Sequence, residues 1–128
     1  MVLNNKSERN LVGVHPDLVR VVRRAALLLA EGPIGFVITE GLRDAERQKK
    51  LVEAGASQTM NSNHLKGHAV DFAVTVYGDV RWDWPLYKQI ADLMKGAAKV
   101  EKVPIKWGGD WKSFKDGPHI ELDQSVYG

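Results

Sequence analysis

Not one of the 128 residues is a cysteine, and that absence narrows both how the chain can fold and what it can do. Without disulfides the fold must rest on a buried apolar core. Without thiolates any metal must be held by histidine and carboxylate, and no cysteine nucleophile is available. A core is within reach, because 44% of the residues are hydrophobic and 27% charged. A domain of this length buries roughly two thirds of the surface its unfolded chain exposes. The 12 glycines and 5 prolines are near average and exclude collagenous or low-complexity chains. Lys and Arg number 18 against 16 Asp and Glu, a net charge of +2. That is too little for a protein that coats nucleic acid, so no nucleic-acid partner is expected. The length suits one domain.

No targeting or membrane-spanning segment stands out. The start, MVLNNKSERN, lacks the apolar stretch of a secretory signal. The most apolar run, Val21 to Ala30, is interrupted by Arg23 and Arg24, whereas about 18 uninterrupted apolar residues are needed to cross a bilayer. The expectation is synthesis in the cytoplasm without a signal peptide and no stable membrane insertion.

Leu18, Val21, Val22, Ala25, Leu28 and Leu29 recur at helical spacing behind His15-Pro16-Asp17 and ahead of Gly32-Pro33, which predicts a first long helix. Ile34 to Thr39 is short, β-branched and bounded by Gly and Pro, hence a strand. Asp44 to Ala54 has good helix formers, with Asp44 near its start and Gly55 at its end. The polar stretch from Gly55 to Gly67 reads as a loop. Ala69 to Val76 is a second strand, and Trp84 to Val100 has helical spacing through Leu86, Ile90, Leu93, Met94 and Ala97. VPIKWGG and PHIEL supply two short strands around a Trp- and Gly-rich loop. The order predicts an α+β domain, a small antiparallel sheet packed with about three helices.

Four histidines are available: His15, His64, His68 and His119. His15, directly before a helix-opening proline, fits a structural role. His64 and His68 are four apart, but Leu65 stands where the two-histidine helix of zinc proteases needs Glu, and Gly67 argues against a continuous helix. A better partner for His64 is Asp71. Strand alternation turns Asp71 away from Val70 and Phe72. A carboxylate amid AVDFAV is costly to bury unless it is paired or holds a metal. His119, at the start of the last strand, is the third candidate ligand. Two His and a carboxylate with an open position is a recurring set in catalytic zinc peptidases. Asp116 lies three residues earlier, across the Gly117-Pro118 turn, and suits either a general base or a simple turn former.

Taken together these residues resemble a family. Ser62-Asn63-His64-Leu65-Lys66-Gly67-His68-Ala69-Val70-Asp71 fits the Ser-x-His-x-x-Gly-x-Ala-x-Asp signature of zinc peptidoglycan peptidases, the D-alanyl-D-alanine carboxypeptidase and dipeptidase group whose fold Hedgehog domains share. Trp107-Gly108-Gly109-Asp110-Trp111, Phe114 and Asp116-Gly117-Pro118-His119-Ile120-Glu121-Leu122 resemble its endolysin branch of phage L-alanyl-D-glutamate endopeptidases. Gly41-Leu42-Arg43-Asp44 with Gln48 resembles the upstream Gly-x-Arg-Ser block, with Asp44 where Ser is common. The resemblance spans about residues 12 to 123.

It implies one Zn2+ held by His64, Asp71 and His119, with Asp116 as general base. Many relatives carry Glu at the base position, one methylene longer. Arg43 would stabilise an oxyanion or clamp a substrate carboxylate. Gln48 and Ser62 would support the site or bind substrate, and His68 falls at a wildcard and is expected at the surface. Trp107, Trp111 and Phe114 are expected as core or cleft wall. The implied activity is hydrolysis of the L-Ala–D-Glu bond of peptidoglycan stem peptides, causing host cell lysis after holin-type release to the periplasmic wall. The alternatives are a D-Ala-D-Ala carboxypeptidase of the same fold, a catalytically silent zinc-binding module, or a small metal-dependent nuclease. A single catalytic domain over residues 1–128, acting as a monomer with no separate wall-binding domain, completes the expectation.

Overall fold

The computed structural model describes residues 3–56, 62–113 and 115–128, and its organising element is the apolar run around Asp71. This run, strand β2 (Ala69–Val76), is the middle of an antiparallel sheet. Strand β1 (Ile34–Glu40) pairs along its whole length on one side. The other side is shared: β5 (His119–Leu122) pairs with Ala69 to Asp71, and β3 (Asp79–Arg81) pairs with Val74 to Val76. Beyond β5 lies β4 (Ile105–Trp107). The α+β class expected from the element order is the one observed.

One face of this sheet makes the core. Phe36 and Ile38 of β1, Val70, Phe72 and Val74 of β2, and Ile120 and Leu122 of β5 are buried there. Against them lie helix α2 (Pro16–Leu28), through Leu18, Val21, Val22 and Ala25, and helix α4 (Trp84–Glu101), through Ile90, Ala91, Met94 and Ala97. Each of these stripes repeats at helical spacing, the cause of the burial rather than its consequence. Helix α3 (Ala45–Glu53) begins at Asp44, whose carboxylate accepts the Arg47 N–H at 2.7 Å.

Three short elements were not expected from the sequence. Helix α1 (Asn5–Asn10) is polar and carries no apolar stripe. It is capped by Asn4 and docked on β1, where the Ser7 hydroxyl accepts the Ile38 N–H at 2.9 Å and the Asn10 amide donates to the Ile38 carbonyl at 2.8 Å. These bonds occupy backbone groups at a sheet edge that would otherwise be open. The others are β3 and a C-terminal turn of helix, α5 (Gln124–Tyr127). Of the loop expected over 55–67, residues 57–61 lie outside the described residues, and residues 63–66 form a 3-10 turn.

The opposite face of the sheet carries the chemistry. Pairing across β2 sets Asp71 opposite His119. On the other side a bulge between Ile38 and Glu40 brings Glu40, rather than Thr39, opposite Asp71. A bulge re-aims the side chains beyond it, so Glu40, Asp71 and His119 form one row across three strands.

Candidate active site

His64 reaches this row from the 3-10 turn. Ser62 caps that turn, its hydroxyl accepting the His64 N–H at 3.2 Å, and Gly67 ends it at φ +72°. A side chain at Gly67 would also place Cβ 2.4 Å from the Gly13 carbonyl oxygen, so only glycine passes the chain into β2 here. The His64 ring is buried. Its Nδ1 donates to the Gly41 carbonyl at 2.8 Å, and its Nε2 stands 3.2 Å from Asp71 Oδ1.

His119 mirrors this with its nitrogens exchanged. Nε2 donates to Glu121 Oε1 at 2.7 Å, leaving Nδ1 3.2 Å from the same Asp71 oxygen. Glu121 is itself fixed by the Asn63 amide, which donates to Oε2 at 2.8 Å. In each imidazole the nitrogen farther from Asp71 is thus tied to an acceptor, and the other is directed inward, as in metal sites. The three ligand atoms of His64, Asp71 and His119 lie within 4.8 Å of one another. Both 3.2 Å separations are close to the roughly 3.4 Å between neighbouring ligand atoms around a tetrahedral ion with bonds near 2.1 Å. The donor set fits a metal ion: two nitrogens and a carboxylate, each already aimed.

The electrostatics agree. Burial pushes the Asp71 carboxyl up, but hydrogen bonds from His119 and His64 outweigh it and hold the group well below the carboxylate range. Burial pushes the His119 imidazole down, yet its bonds to Asp71 and Glu121 raise it to about 9. In the metal-free protein a proton therefore sits where a cation would. Asp116 behaves differently. Burial, and then the charge of Asp71, push its carboxyl up.

Asp116 faces a cleft of about 640 Å³ that is also lined by His64, Asp71, His119, Arg43 and Ser62. Its backbone is pinned at both ends, the N–H to the Gly108 carbonyl at 3.0 Å and the carbonyl to the His119 N–H at 3.2 Å. Gly108 permits this approach, because a Cβ there would lie 2.3 Å from the Asp116 carbonyl oxygen. Of the aromatic residues, Trp107 is buried and donates to the Gly117 carbonyl at 2.7 Å, while Trp111 lines the cleft with its ring 5.1 Å from that of His119. Phe114 lies outside the described residues. His68 is half-buried, away from the cleft.

Arg43 is almost entirely buried at the cleft edge. Nε and Nη2 grip the two oxygens of Glu40 at 2.9 and 2.8 Å, Nη1 donates to Gln48 Oε1 at 2.7 Å, and Nη2 lies 3.6 Å from Asp71 Oδ2. Burial pushes Glu40 up, but bonds and charge from Arg43, with Arg47 behind them, leave it below the ordinary carboxylate range. Gln48 has no exposed surface, so of the two roles expected of it, supporting the site or binding substrate, its placement fits the first and not the second: it stands behind Arg43 and orients the guanidinium. Two participants escaped the sequence reading. Glu121, two residues after His119 on one strand, shares its face by simple alternation and could have been found. Glu40 could not, because only the bulge brings it into the row.

Residues 1–123 match the family described as phage L-alanyl-D-glutamate peptidase. An L-alanyl-D-glutamate peptidase of Listeria phage A118 is 40% identical over 95 residues, 74% of this chain and 33% of that protein. The chain thus spans about a third of that relative's length. One of Escherichia phage T5 is 30% identical over 125 residues, 94% of this chain and 88% of that protein. The crystal structure of the L-Ala D-Glu endopeptidase ChiX of Serratia marcescens superposes with a TM-score of 0.88 at 47% identity, covering 96% of this chain and 90% of that one. The vancomycin-resistance D,D-dipeptidase VanXYg shares the fold, with a TM-score of 0.55 at 18% identity over 85% of this chain and 50% of its own. With a sheet that brings two anchored imidazoles onto one aspartate, and a match over nearly its full length, this chain belongs to the phage L-alanyl-D-glutamate peptidase family.

Proposed function

We propose that the chain is a zinc metallopeptidase that hydrolyses the L-Ala–D-Glu bond of peptidoglycan stem peptides. The observation that carries this is the convergence of His64 Nε2 and His119 Nδ1 on Asp71 Oδ1 at 3.2 Å each, beside a second, destabilised carboxylate in the same cleft. His64, Asp71 and His119 would hold one Zn2+. When bound, zinc supplies Lewis acidity and an acidified water.

The remaining work falls to the chain's own groups. Asp116 takes a proton from the attacking water and passes it to the leaving amine of D-Glu. Its raised pKa makes it a stronger base than an exposed aspartate toward the attacking water. Its shorter side chain, relative to the Glu of many relatives, is compensated by backbone pinning at Gly108 and His119. Arg43 spends three N–H groups on Glu40 and Gln48, which fixes the plane of the guanidinium. The other two suit the D-Glu carboxylate or the oxyanion of the attacked carbonyl. Ser62 shapes the site by capping the turn that presents His64, and its place on the cleft wall lets it meet substrate.

A single chain supplies all the ligands, so a monomer suffices. No helix among the described residues is long and apolar enough to cross a membrane. Kinship with phage peptidases supports a role in host lysis, with holin-type release bringing the protein to the wall. The test is the turbidity of outer-membrane-permeabilised cells with purified protein. Clearing that stops on chelation and returns with zinc is expected, whereas clearing that survives chelation would overturn zinc dependence.

A further inference from the structure

Trp82 is 66% exposed and lines the same cleft as the candidate metal ligands. Its position is held. One face lies on Tyr87, with ring centroids 5.8 Å apart and planes 3° from parallel. Tyr87 is in turn buried, stacked on Phe72, and its hydroxyl is locked between the Val74 N–H at 3.1 Å and the Arg81 carbonyl at 2.8 Å. The ring otherwise stays largely exposed and borders the cleft. A large aromatic ring that lines the cleft while two thirds exposed serves no core, and aromatic walls of this kind are what ligand clefts are lined with.

Topology says which part of a substrate would meet it. Arg43 follows β1, on one side of β2; Trp82 follows β3, on the other. Asp71 lies between them. Arg81 pairs with Val74, three residues along β2 from Asp71, or about 10 Å at the rise of a strand. If the proposed bond is the one cleaved, the fragment on the amine side begins with an anionic D-Glu, which suits the Arg43 side. The fragment on the carbonyl side is a single L-Ala joined through a lactyl group to a glycan sugar. L-Ala and the lactyl group together span roughly 7 Å, so the pyranose ring arrives near Trp82. A pyranose presents a flat face of C–H groups, which complements the electron-rich face of an indole.

We propose that Trp82 is a platform on which the lactyl-bearing sugar of the glycan strand stacks, making the chain selective for stem peptides still attached to glycan. This rests on the proposed cleavage site. The test compares kcat/KM of wild type, Trp82→Ala and Trp82→Phe on a disaccharide-linked stem peptide and on the same peptide without sugar. The ratio of the two values, taken on one preparation, does not depend on the folded fraction. Trp82→Ala is expected to lower the ratio about ten-fold, the scale of one lost aromatic stacking contact, mostly through KM, with Trp82→Phe intermediate. An unchanged ratio, whether both substrates decline together or neither does, would overturn the proposal while leaving the cleavage site standing. A wild-type protein that cuts neither substrate at L-Ala–D-Glu would overturn the reading beneath it.

Discussion

Two pairs of histidines meet in this molecule, and only one closes around a carboxylate. The rings of His64 and His119 are 5.2 Å apart and those of His15 and His68 are 5.5 Å apart, both edge-on. In the first pair a half-buried carboxylate lies between the rings, and the outer nitrogens are held by Gly41 and Glu121. In the second, His15 Nδ1 caps helix α2 by accepting the Asp17 N–H at 3.1 Å, and His68 meets Gln124 and the ring of Tyr127. Among the described residues no carboxylate joins this pair into a group of metal-ligating atoms. Proximity of imidazoles alone therefore does not assemble a set of metal-ligating atoms; a shared anion and anchored far nitrogens do.

The sharpest way to break this contrast is to remove one ring from each pair. His64→Ala or His119→Ala is expected to abolish bound zinc and lower activity by at least about a thousand-fold, whereas His68→Ala should retain zinc and activity within about two-fold. Metal analysis and a turbidity assay read both, and equal losses in the two pairs would refute the contrast. Asp116→Asn should lower kcat by about a hundred-fold or more with metal content intact, because it removes the base and leaves the ligands. Glu121→Gln should weaken zinc binding by about ten- to a hundred-fold in a chelator competition; an unchanged affinity would mean that the anchoring of His119 is incidental.

Acidity sharpens the comparison further. His119 has a folded value of about 9, above its ordinary 6.5. In the metal-free protein it therefore contributes stability that is full below pH 6.5 and is lost as pH rises through about 9. The same proton competes with the metal, so zinc affinity should climb by about ten-fold per pH unit between those limits. A flat profile across this range would contradict it. The smallest effect belongs to the other pair. His15→Ala should cost about 1 kcal/mol in denaturant unfolding, the worth of a lost helix cap, with no change in zinc content.

The difference between the pairs was only partly legible in the sequence. His64, Asp71 and His119 could be singled out because an aspartate inside AVDFAV demands a partner and alternation tells which face it takes. The long helices were legible because each buries a periodic stripe, and β2 because it is an apolar run buried on both faces. What escaped has no such stripe. Helix α1 is polar throughout and exists because Ser7 and Asn10 bond to the edge of β1. Strand β3 is three exposed residues held by register with β2. Gln48 matched a motif position, but a motif does not say whether a side chain faces the cleft or stands behind it, and here it is wholly buried against Arg43. Glu40 depends on a bulge, a shift of one residue that no local pattern announces.

The central claim is that the histidine pair around Asp71 makes a zinc peptidase for one bond of the stem peptide. Mass spectrometry of peptides released from purified peptidoglycan by zinc-loaded protein tests it most directly. Products that begin at D-Glu, with L-Ala left on the glycan, formed by wild type and not by His64→Ala or after chelation, are expected. Loss of only a terminal D-Ala with the stem retained, or the same D-Glu products from His64→Ala, would contradict it.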